Sequence, residues 1–530
     1  METINGQQAM AWGAIEAGVA VVTGYPGSPG TGTFNTLTET GNKFGHQTEW
    51  CLNERIALDI AAGVSQGGKR ALVCLKSVGM NVALDTLMVL NMTGVNAGLV
   101  ILLGDDPGAW GSQNEQDTRF VAPMSEIPML EPSTIQEGRQ MIKWAFDYSE
   151  TAETVVIVRI TRSFTTREET VPPLSPPSQR PHRIPDREPL RWVAALAKTM
   201  TDHTRLHQKL EQATADFSRL PFNQITGDRS NHKGIIATGF AYTKLQEALA
   251  GDNSEPQILK LNALYPLPRD LLAQFLGQCQ EILILEEVDP YLEDSVKAIG
   301  YDIGQTPKLY GKRTGDVNWV GELFRWHIQQ SLAKFLPNFK PEHVYLEENW
   351  EQEKPFRKSY CAGCPYMEIL TSFREEARKL GQNPFLTGDP GCVITAAKLL
   401  DAKLCMGSAI GVASGHQKAE VGERSVAVFG DSAFYHGGLN ALIHARTTST
   451  NLLTIILDNG GSVTTGCQPT PDQSETGVSI YDLVQTCGVD QLWTIEEEDD
   501  EACMRAVFHQ ALSSNEGLCT IIIRKKCDPV

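Results

Sequence analysis

The stretch that decides the fold is RSVAVFGDSAFYHGGLNALIHARTTSTNLLTIILDNGG, residues 424–461. Two apolar runs, SVAVFG and LLTIIL, flank a segment with helical spacing, which predicts a strand, a helix and a second, parallel strand. Asp431 follows the first strand, and Asn459 follows closely on the second. Because a right-handed crossover brings the carboxyl ends of both strands to one sheet edge, we expect these two side chains to converge.

The convergence of Asp431 and Asn459 predicts a Mg²⁺ site. Carboxylate and amide oxygens suit Mg²⁺, which keeps open positions for phosphate oxygens. Three glycines allow a close approach of the backbone: Gly430, Gly460 and Gly461. The segment MGSAIGVASG (406–415) is expected to present helix N-terminal amides, at Gly407 and Ser408, to the same phosphates. The GDS turn or the DNGG turn alone is more typical of an ordinary strand end. The two turns together, at this spacing, favour a metal site.

Two irregular stretches divide the chain into three blocks. They are the proline-rich run at 171–189 and the charged, aromatic stretch YLEENWEQEKPFRK at 345–358. Each block alternates short apolar runs with helical patterns, as in VAVVTGYPGSPG followed later by NERIALDIAAGVSQG. The sequence therefore predicts three consecutive α/β domains with mainly parallel sheets, at 1–175, 176–345 (with a helical N-terminal linker) and 346–530.

Composition and charge exclude several classes of protein. The 530 residues carry a formal net charge of −18, without the basic surface that a nucleic-acid-binding protein needs. The most apolar tract, at 71–106, is interrupted by polar and charged residues, which argues against a membrane span. No signal peptide is visible at the N-terminus, and we expect a cytoplasmic protein.

The segment FRKSYCAGCPY (356–366) carries Cys361 and Cys364 separated by two residues. This spacing suits a redox couple, half of a metal site, or only a turn. A [4Fe-4S] cluster needs four thiolates. Two further cysteines are candidates, since Cys392 lies in a Gly-Cys turn at a predicted strand end and Cys527 follows the last predicted strand. Structural zinc, a thiol pair and unligated core cysteines are the alternatives.

The spacing of GD and N in the opening stretch resembles the thiamine diphosphate motif. By that resemblance Asp431, the Asn459 side chain and the Gly461 carbonyl hold the metal on the diphosphate, with Ser432 beside the cofactor. Thiamine also needs a buried carboxylate that shares a proton with its aminopyrimidine. Glu54 is the candidate, because it shares the packed face of a helix that Asn53 can cap. Alone, a first-turn glutamate more often complements the helix dipole.

Six motifs in order resemble the alpha subunit of indolepyruvate:ferredoxin oxidoreductase over essentially the whole chain: GYPGSPGT, NERIALDIAAG, GDDPGAWGSQNEQDTR, GDPGCVIT, MGSAIGVASG and GDSAFYHGG. The resemblance implies a pyrimidine-binding domain, a transketolase-C-terminal-like domain and a diphosphate-binding domain. It makes Glu54 the cofactor activator. It also places Tyr25, Ser28, Thr31 and Arg119 near the cofactor and the 2-oxoacid carboxylate, where Arg119 is either a bidentate clamp or a surface ion pair.

The wider family of 2-oxoacid:ferredoxin oxidoreductases implies the full set of cluster ligands. Its cluster next to thiamine is held by a CxxC pair, a Gly-Cys turn and a cysteine after a late strand. In this chain Cys361, Cys364, Cys392 and Cys527 match that order. We therefore expect one [4Fe-4S] cluster that takes electrons from the cofactor.

The sequence also departs from the family. Ser77, Tyr366 and Cys467 stand where the family commonly has histidine, which removes groups that titrate near neutral pH. His436 in FYHGG remains a candidate acid or base, with a satisfied core histidine as the alternative. The chain ends at Val530 without the family's ferredoxin-like domain, so onward electron transfer is expected to need another subunit.

These features predict oxidative decarboxylation of a 2-oxoacid, aryl or branched. The expected cofactors are thiamine diphosphate, Mg²⁺ and the cluster, with CoA as acyl acceptor. A homodimer, a separate gamma-type subunit and ferredoxin or another electron acceptor are the expected partners. The alternatives are a non-oxidative decarboxylase or carboligase, and a non-catalytic partner subunit.

Overall fold

The computed structural model describes residues 1–178, 182–252, 254–340, 364–420, 424–474, 477–514 and 517–526. The chain divides into two compact units, Met1–Arg357 and Lys358–Val530. The predicted boundaries at 175/176 and 345/346 remain predictions.

The first unit contains two large sheets and their helices. Its N-terminal part consists of β1 (Glu2–Asn5), α1 (Gly6–Glu16), β2 (Val21–Gly24), α2 (Thr31–Phe44), β3 (Gln47–Trp50), α3 (Glu54–Gln66), β4 (Ala71–Lys76), α4 (Ser77–Thr93), β5 (Leu99–Asp105), α5 (Val121–Ser125), β6 (Met129–Leu130), α6 (Ile135–Ala152), β7 (Val156–Thr161), α7 (Arg162–Thr166) and β8 (Glu168–Val171). It continues with α8 (Thr199–Phe217), β9 (Gln224–Thr226), β10 (Lys233–Ala237), α9 (Gly239–Ala248), β11 (Gln257–Lys260), β12 (Ala263–Tyr265), α10 (Arg269–Gln278), β13 (Glu281–Leu285), α11 (Tyr291–Asp302), β14 (Lys308–Tyr310) and α12 (Arg325–Phe335).

The first sheet has the strand order β12-β6-β7-β5-β4-β2-β3, and the second has β14-β13-β10-β11-β9. All neighbours in the first sheet are parallel except β12, which pairs antiparallel with β6. In the second sheet only β9 is antiparallel. The short strands β1 and β8 pair antiparallel as a separate ribbon. Strand β12 comes from the predicted second domain but completes the first sheet.

The second unit contains one six-stranded sheet, called the third sheet below. Its elements are α13 (Pro365–Lys379), β15 (Leu386–Gly388), a 3₁₀ helix (Cys392–Leu399), β16 (Ala402–Lys403), α14 (Ala409–Lys418), β17 (Ser425–Gly430), α15 (Asp431–Ala433), a π-helical turn (Phe434–Gly438), α16 (Leu439–Thr447), β18 (Leu452–Asp458), α17 (Ile480–Thr486), β19 (Gln491–Ile495), α18 (Glu501–Ser513) and β20 (Leu518–Arg524). The strand order is β16-β15-β17-β18-β20-β19, and every neighbouring pair is parallel.

The central strands explain why these sequences form parallel sheets. All residues of β5 and of β18 are buried, as expected for strands covered by helices on both faces. Side chains of β4 and β5 alternate between two apolar clusters, with Leu72 and Val100 on one face and Val73 and Ile101 on the other. The predicted α/β class with mainly parallel sheets is confirmed. Among the described residues, no helix is long and apolar enough to cross a membrane.

Candidate active site

Asp431 and Gly461 meet at the carboxyl edge of the third sheet. Strands β17 and β18 run in parallel, with Gly430 opposite Leu457. The Asp431 carboxylate is buried and accepts hydrogen bonds from the backbone N–H groups of Ser432 (2.6 Å) and Gly461 (2.8 Å). The hydroxyls of Ser432 and Ser462 lie 2.6 Å apart. The turns after the two strands are therefore joined directly, as their spacing in the sequence predicts.

Asn459 presents its two amide atoms to different surroundings. Its Nδ2 donates to the Cys392 Sγ at 3.6 Å. Its Oδ1 is buried and has no hydrogen-bond partner among the described residues. A buried acceptor without a partner is destabilising unless a ligand satisfies it. The atom predicted to bind the metal is thus the one that lacks a protein partner.

The electrostatics of this edge favour a cation. Burial, with the nearby Asp458 carboxylate as a lesser cause, raises the pKa of Asp431 to about 7. Burial and then the charge of Asp472 also raise the pKa of Asp458. A divalent ion would relieve both effects, because it favours the ionised carboxylates. The Asp431 carboxylate and the Asn459 amide oxygen are hard oxygen donors of the kind that fits Mg²⁺.

The predicted role of the Gly407 and Ser408 amides needs correction. Both backbone N–H groups donate to the buried Asp389 carboxylate, at 2.9 and 3.0 Å, and Ala409 N–H donates to it at 2.9 Å. Asp389 follows β15. Although it is about twenty residues away in sequence, its carboxylate caps the N-terminus of α14. Burial raises its pKa to about 6 despite these hydrogen bonds. These amides therefore hold the helix to the sheet edge and are already occupied by a carboxylate.

Two described cysteines of the second unit, Cys364 and Cys392, lie near one tyrosine, Tyr366. Cys364 is the residue before α13, and Cys392 follows Gly391, whose φ of 104° favours glycine. Both thiols are partly buried against the core of the third sheet. Burial is the main cause that raises the pKa of the nearby Tyr366 phenol, and the Cys392 thiol and the Asp431 carboxylate add to it. The Tyr366 hydroxyl is buried without a hydrogen-bond partner among the described residues.

The structure describes two of the four cysteines that are predicted to hold the cluster. Cys361 and Cys527 lie outside the described residues. The two described members, Cys364 and Cys392, both lie close enough to Tyr366 to raise the pKa of its phenol, and Cys392 also accepts from Asn459. The hydrogen bond from Asn459 to the Cys392 sulfur is compatible with a cluster ligand, because hydrogen bonds to sulfur help to set the potential of Fe–S clusters.

Glu54 occupies the predicted position on the first unit. It is the first residue of α3, and the Asn53 side chain accepts from the Ile56 N–H, as predicted. Glu54 is 7% exposed on the packed face, whereas Arg55 and Asp59 are exposed on the other side. The carboxylate packs on α4 at Gly79, where a Cβ would lie 2.5 Å from Glu54 Oε1. Glycine at that position therefore makes room for the carboxyl group.

The YPGSPGT loop lies at the same sheet edge, after β2. Thr31 begins α2, and its hydroxyl accepts from the Gly27 N–H at 2.9 Å. Tyr25 is partly buried and Ser28 is exposed. The loop covers Lys76, because a Cβ on Gly27 would lie 2.9 Å from the Lys76 Cβ. No motif in the sequence points to Lys76 as a site residue.

Arg119 does not have either predicted role. It is fully buried, so it is not a surface ion pair. Its guanidinium donates to Asp117, to Glu286 at 2.6 Å and to the Asp289 carbonyl at 2.6 Å. These contacts use four of its five N–H groups and connect the first sheet to the residues after β13. Arg119 is a structural cation, and the predicted substrate clamp is corrected.

The remaining predicted positions lie in different environments. His436 is partly buried in the π-helical turn after α15, and π-turns are common at functional sites. Ser77 is buried at the start of α4, and Cys467 is exposed.

Comparison with known proteins defines the class of this chain. Residues 12–216 match the family "Pyruvate flavodoxin/ferredoxin oxidoreductase, thiamine diP-bdg", and residues 390–523 match "Thiamine pyrophosphate enzyme, C-terminal TPP binding domain". The chain is an enzyme of the thiamine diphosphate-dependent 2-oxoacid oxidoreductase class. A solved 2-oxoglutarate:ferredoxin oxidoreductase from Magnetococcus marinus shares the fold, with a TM-score of 0.50 and 16% identity over 63% of this chain and 65% of that chain.

Curated relatives narrow the class to a family. "Indolepyruvate oxidoreductase subunit IorA" of Pyrococcus abyssi is 33% identical over 98% of this chain and 85% of its own length. The subunit of the same name from Archaeoglobus fulgidus is 31% identical over 98% of this chain and 86% of its own length. The chain belongs to this IorA family, as the sequence motifs predict.

Proposed function

We propose that this chain decarboxylates an aryl or branched 2-oxoacid oxidatively, transfers the acyl group to CoA and passes the electrons through one [4Fe-4S] cluster to a partner. The observation that carries the proposal is the Asn459 amide. Its free oxygen suits the metal of the diphosphate, while its nitrogen donates to the thiol of Cys392. One side chain would thereby connect the cofactor's metal with a cluster ligand.

The second unit would hold Mg²⁺ through Asp431, the Asn459 side chain and the Gly461 carbonyl. Gly430, Ser432 and Ser462 line the same edge. Asp389 acts indirectly, because its carboxylate fixes the start of α14 beside that edge. These groups bind and orient; none of them needs to transfer a proton.

In the first unit Glu54 would hold a proton on the cofactor's aminopyrimidine. Thiamine diphosphate, when bound, supplies the carbon nucleophile and the electron sink. A glutamate on a packed helix face, pressed against Gly79, is shielded from water and stays in one orientation. Tyr25, Ser28 and Thr31 are proposed to lie beside the same cofactor.

Lys76 replaces Arg119 in the proposed site as the cation for the oxoacid carboxylate. It ends β4 directly before Ser77 and lies under the YPGSPGT loop, at the same edge as Glu54. Burial lowers the pKa of its ammonium, while the Asp106 carboxylate opposes that effect. We expect Lys76→Met to raise KM for the oxoacid at least about tenfold, the effect of losing a charged hydrogen bond. An unchanged KM would remove Lys76 from the site.

The activity test uses anaerobically purified protein with Mg²⁺, thiamine diphosphate, CoA and a viologen dye. The panel includes indolepyruvate, after which the curated relatives are named, and aryl and branched 2-oxoacids. We expect dye reduction coupled to acyl-CoA formation with at least one of them. Aldehyde or acyloin formation without dye reduction would favour the non-oxidative alternative.

The cluster has its own test. About four iron and four sulfide per chain are expected for one [4Fe-4S] centre. Cys392→Ala should lose bound iron, whereas Cys503→Ala, an exposed cysteine on α18, should keep it. Retention of all iron in Cys392→Ala would overturn the four-ligand assignment. A homodimer, a gamma-type subunit, ferredoxin as acceptor and a cytoplasmic location stay predictions.

A further inference from the structure

A group of three potential metal ligands lies in the first unit, remote in sequence from the residues of the proposed site. Glu126 follows α5, and its backbone adopts the left-handed conformation with φ 56°. His203 and His207 are one turn apart on α8. Among the described residues, this is the one group of three or more such side chains whose ligand atoms all lie within 4.8 Å of one another.

Both imidazoles face the same carboxylate. His207 Nε2 lies 2.8 Å from Glu126 Oε1, and His203 Nε2 lies 3.3 Å from Glu126 Oε2. The two rings are 4.3 Å apart between centroids. Histidines at positions i and i+4 project from one helix face, so the helix itself brings the two nitrogens together. A single carboxylate cannot neutralise two imidazolium ions, but two neutral rings offer lone pairs to a metal.

The distances suit a shared ion. Zinc bonds to nitrogen and oxygen are about 2.0–2.1 Å long, which puts ligand atoms of a tetrahedral site about 3.3 Å apart. The observed nitrogen-to-oxygen separations need little change to reach that value. The side chains of His203, His207 and Glu126 are 45%, 56% and 25% exposed, so an ion reaches them without opening the core.

The neighbouring cations lie elsewhere on the helix. Arg205 bonds to the Met92 carbonyl and to Asp202, and Lys209 bonds to the Glu153 carbonyl at 2.8 Å. Positions 205 and 209 are turned by about 200° from 203 and 207 at 100° per residue, and so lie on the other side of α8. Their charges are therefore directed away from the ligand group.

We propose that Glu126, His203 and His207 bind a divalent transition-metal ion of the Zn²⁺ type. Two imidazoles and one carboxylate favour Zn²⁺ over Mg²⁺, and three protein ligands leave a fourth position for water. The ion would join α8 to the turn before β6. Since β6 pairs with β12, which returns from the predicted second domain, the metal would strengthen the packing where those segments meet.

The test measures Zn²⁺ binding by calorimetry to the whole protein in the presence of Mg²⁺. We compare wild type with the double variant His203→Gln/His207→Gln, whose changes are on an exposed helix face. His509→Gln is the matched control, because it removes another His–Glu contact, 3.0 Å to Glu376, that has no second histidine. Any Zn²⁺ bound by cysteines elsewhere is bound equally by all three proteins and cancels in the comparison.

We expect wild type and His509→Gln to bind one more Zn²⁺ than the double variant, and Zn²⁺ to raise the unfolding temperature of the first unit only in those two proteins. Equal stoichiometry in all three proteins would overturn the proposal. Glu126→Gln provides an independent check and should weaken the extra site at least about tenfold. None of these readouts uses catalytic activity, so the result does not depend on the proposed function.

Discussion

The carboxyl edges of the first and third sheets differ in how their buried carboxylates are paired. In the first unit Arg159 pairs with Asp105 and Glu131, and Arg119 pairs with Asp117 and Glu286. Burial raises the pKa of Asp105, Glu131 and Glu286, and the arginines oppose it. At Asp117, by contrast, the Arg119 guanidinium prevails over burial and holds the pKa well below its ordinary value. These charges have permanent protein partners.

At the edge of the third sheet, some buried polar groups lack hydrogen-bond partners. The Asn459 Oδ1 and the Tyr366 hydroxyl have no partner among the described residues, and the pKa of Asp431 is raised by burial. Buried charges that are paired satisfy one another, whereas a buried polar group without a partner is destabilising unless a ligand satisfies it. The difference separates a structural network from the proposed binding site, although both contain acidic residues at strand ends.

The largest effect on stability should come from breaking the paired network. Arg119→Gln leaves Asp117 and Glu286 buried without their cation, and we expect the free energy of unfolding to fall by about 3–5 kcal/mol. Denaturant unfolding measures this loss. Arg55→Gln, which removes an exposed contact with Asp59, should change it by less than about 0.5 kcal/mol. A stable Arg119→Gln protein with a raised KM for the oxoacid would restore the clamp.

A smaller effect, on cofactor binding, should come from a substitution at the edge of the third sheet. Asn459→Ala removes an acceptor that has no protein partner, so the unfolding free energy without ligands should change little. Mg²⁺-dependent thiamine diphosphate binding should weaken by about 10–100-fold, as for altered metal sites. Isothermal titration calorimetry measures cofactor binding by wild type and by Asn459→Ala. If Asn459→Ala binds the cofactor as tightly as wild type does, Asn459 is not a metal ligand.

The smallest expected effect is on how stability depends on pH. Burial, with Lys244 as a lesser cause, lowers the pKa of His327 to about 4, and its Nδ1 accepts from the Phe324 N–H at 3.2 Å. The unfolded histidine titrates near 6.5, so this contribution to stability is present above pH 6.5 and is lost as pH falls towards 4. We expect a loss of about 1–2 kcal/mol in the first unit, because the ring is only partly buried.

The stability of the second unit should change with pH in the opposite direction. The folded pKa of Asp389 is raised to about 6, so its contribution is present below its unfolded value and is lost as pH rises through 6. Hydrogen exchange resolved by peptide, at pH 5 and pH 7, distinguishes the two units. His327→Gln should remove the acid sensitivity of the first unit; an unchanged profile would contradict the assignment.

Local patterns predicted the parts of the site that depend on one crossover or one helix. Asp431 and Asn459 converge because two successive strands are parallel neighbours, and Glu54 is buried because its spacing with Ala57 and Ala61 is helical. The same reasoning failed for Arg119, whose partner Glu286 is 167 residues away. Asp389 was missed for a similar reason, since only the folded chain brings it to the start of α14.

The most direct test of the account concerns Glu54. The exchange of the thiazolium C2 proton of bound thiamine diphosphate is followed by NMR in wild type, in Glu54→Gln and in Asp59→Asn on the exposed side of the same helix. We predict that Glu54→Gln still binds the cofactor but exchanges the proton about 10²–10⁴-fold more slowly, while Asp59→Asn matches wild type. Equal exchange rates in all three proteins would show that Glu54 does not activate the cofactor and would contradict the proposed site.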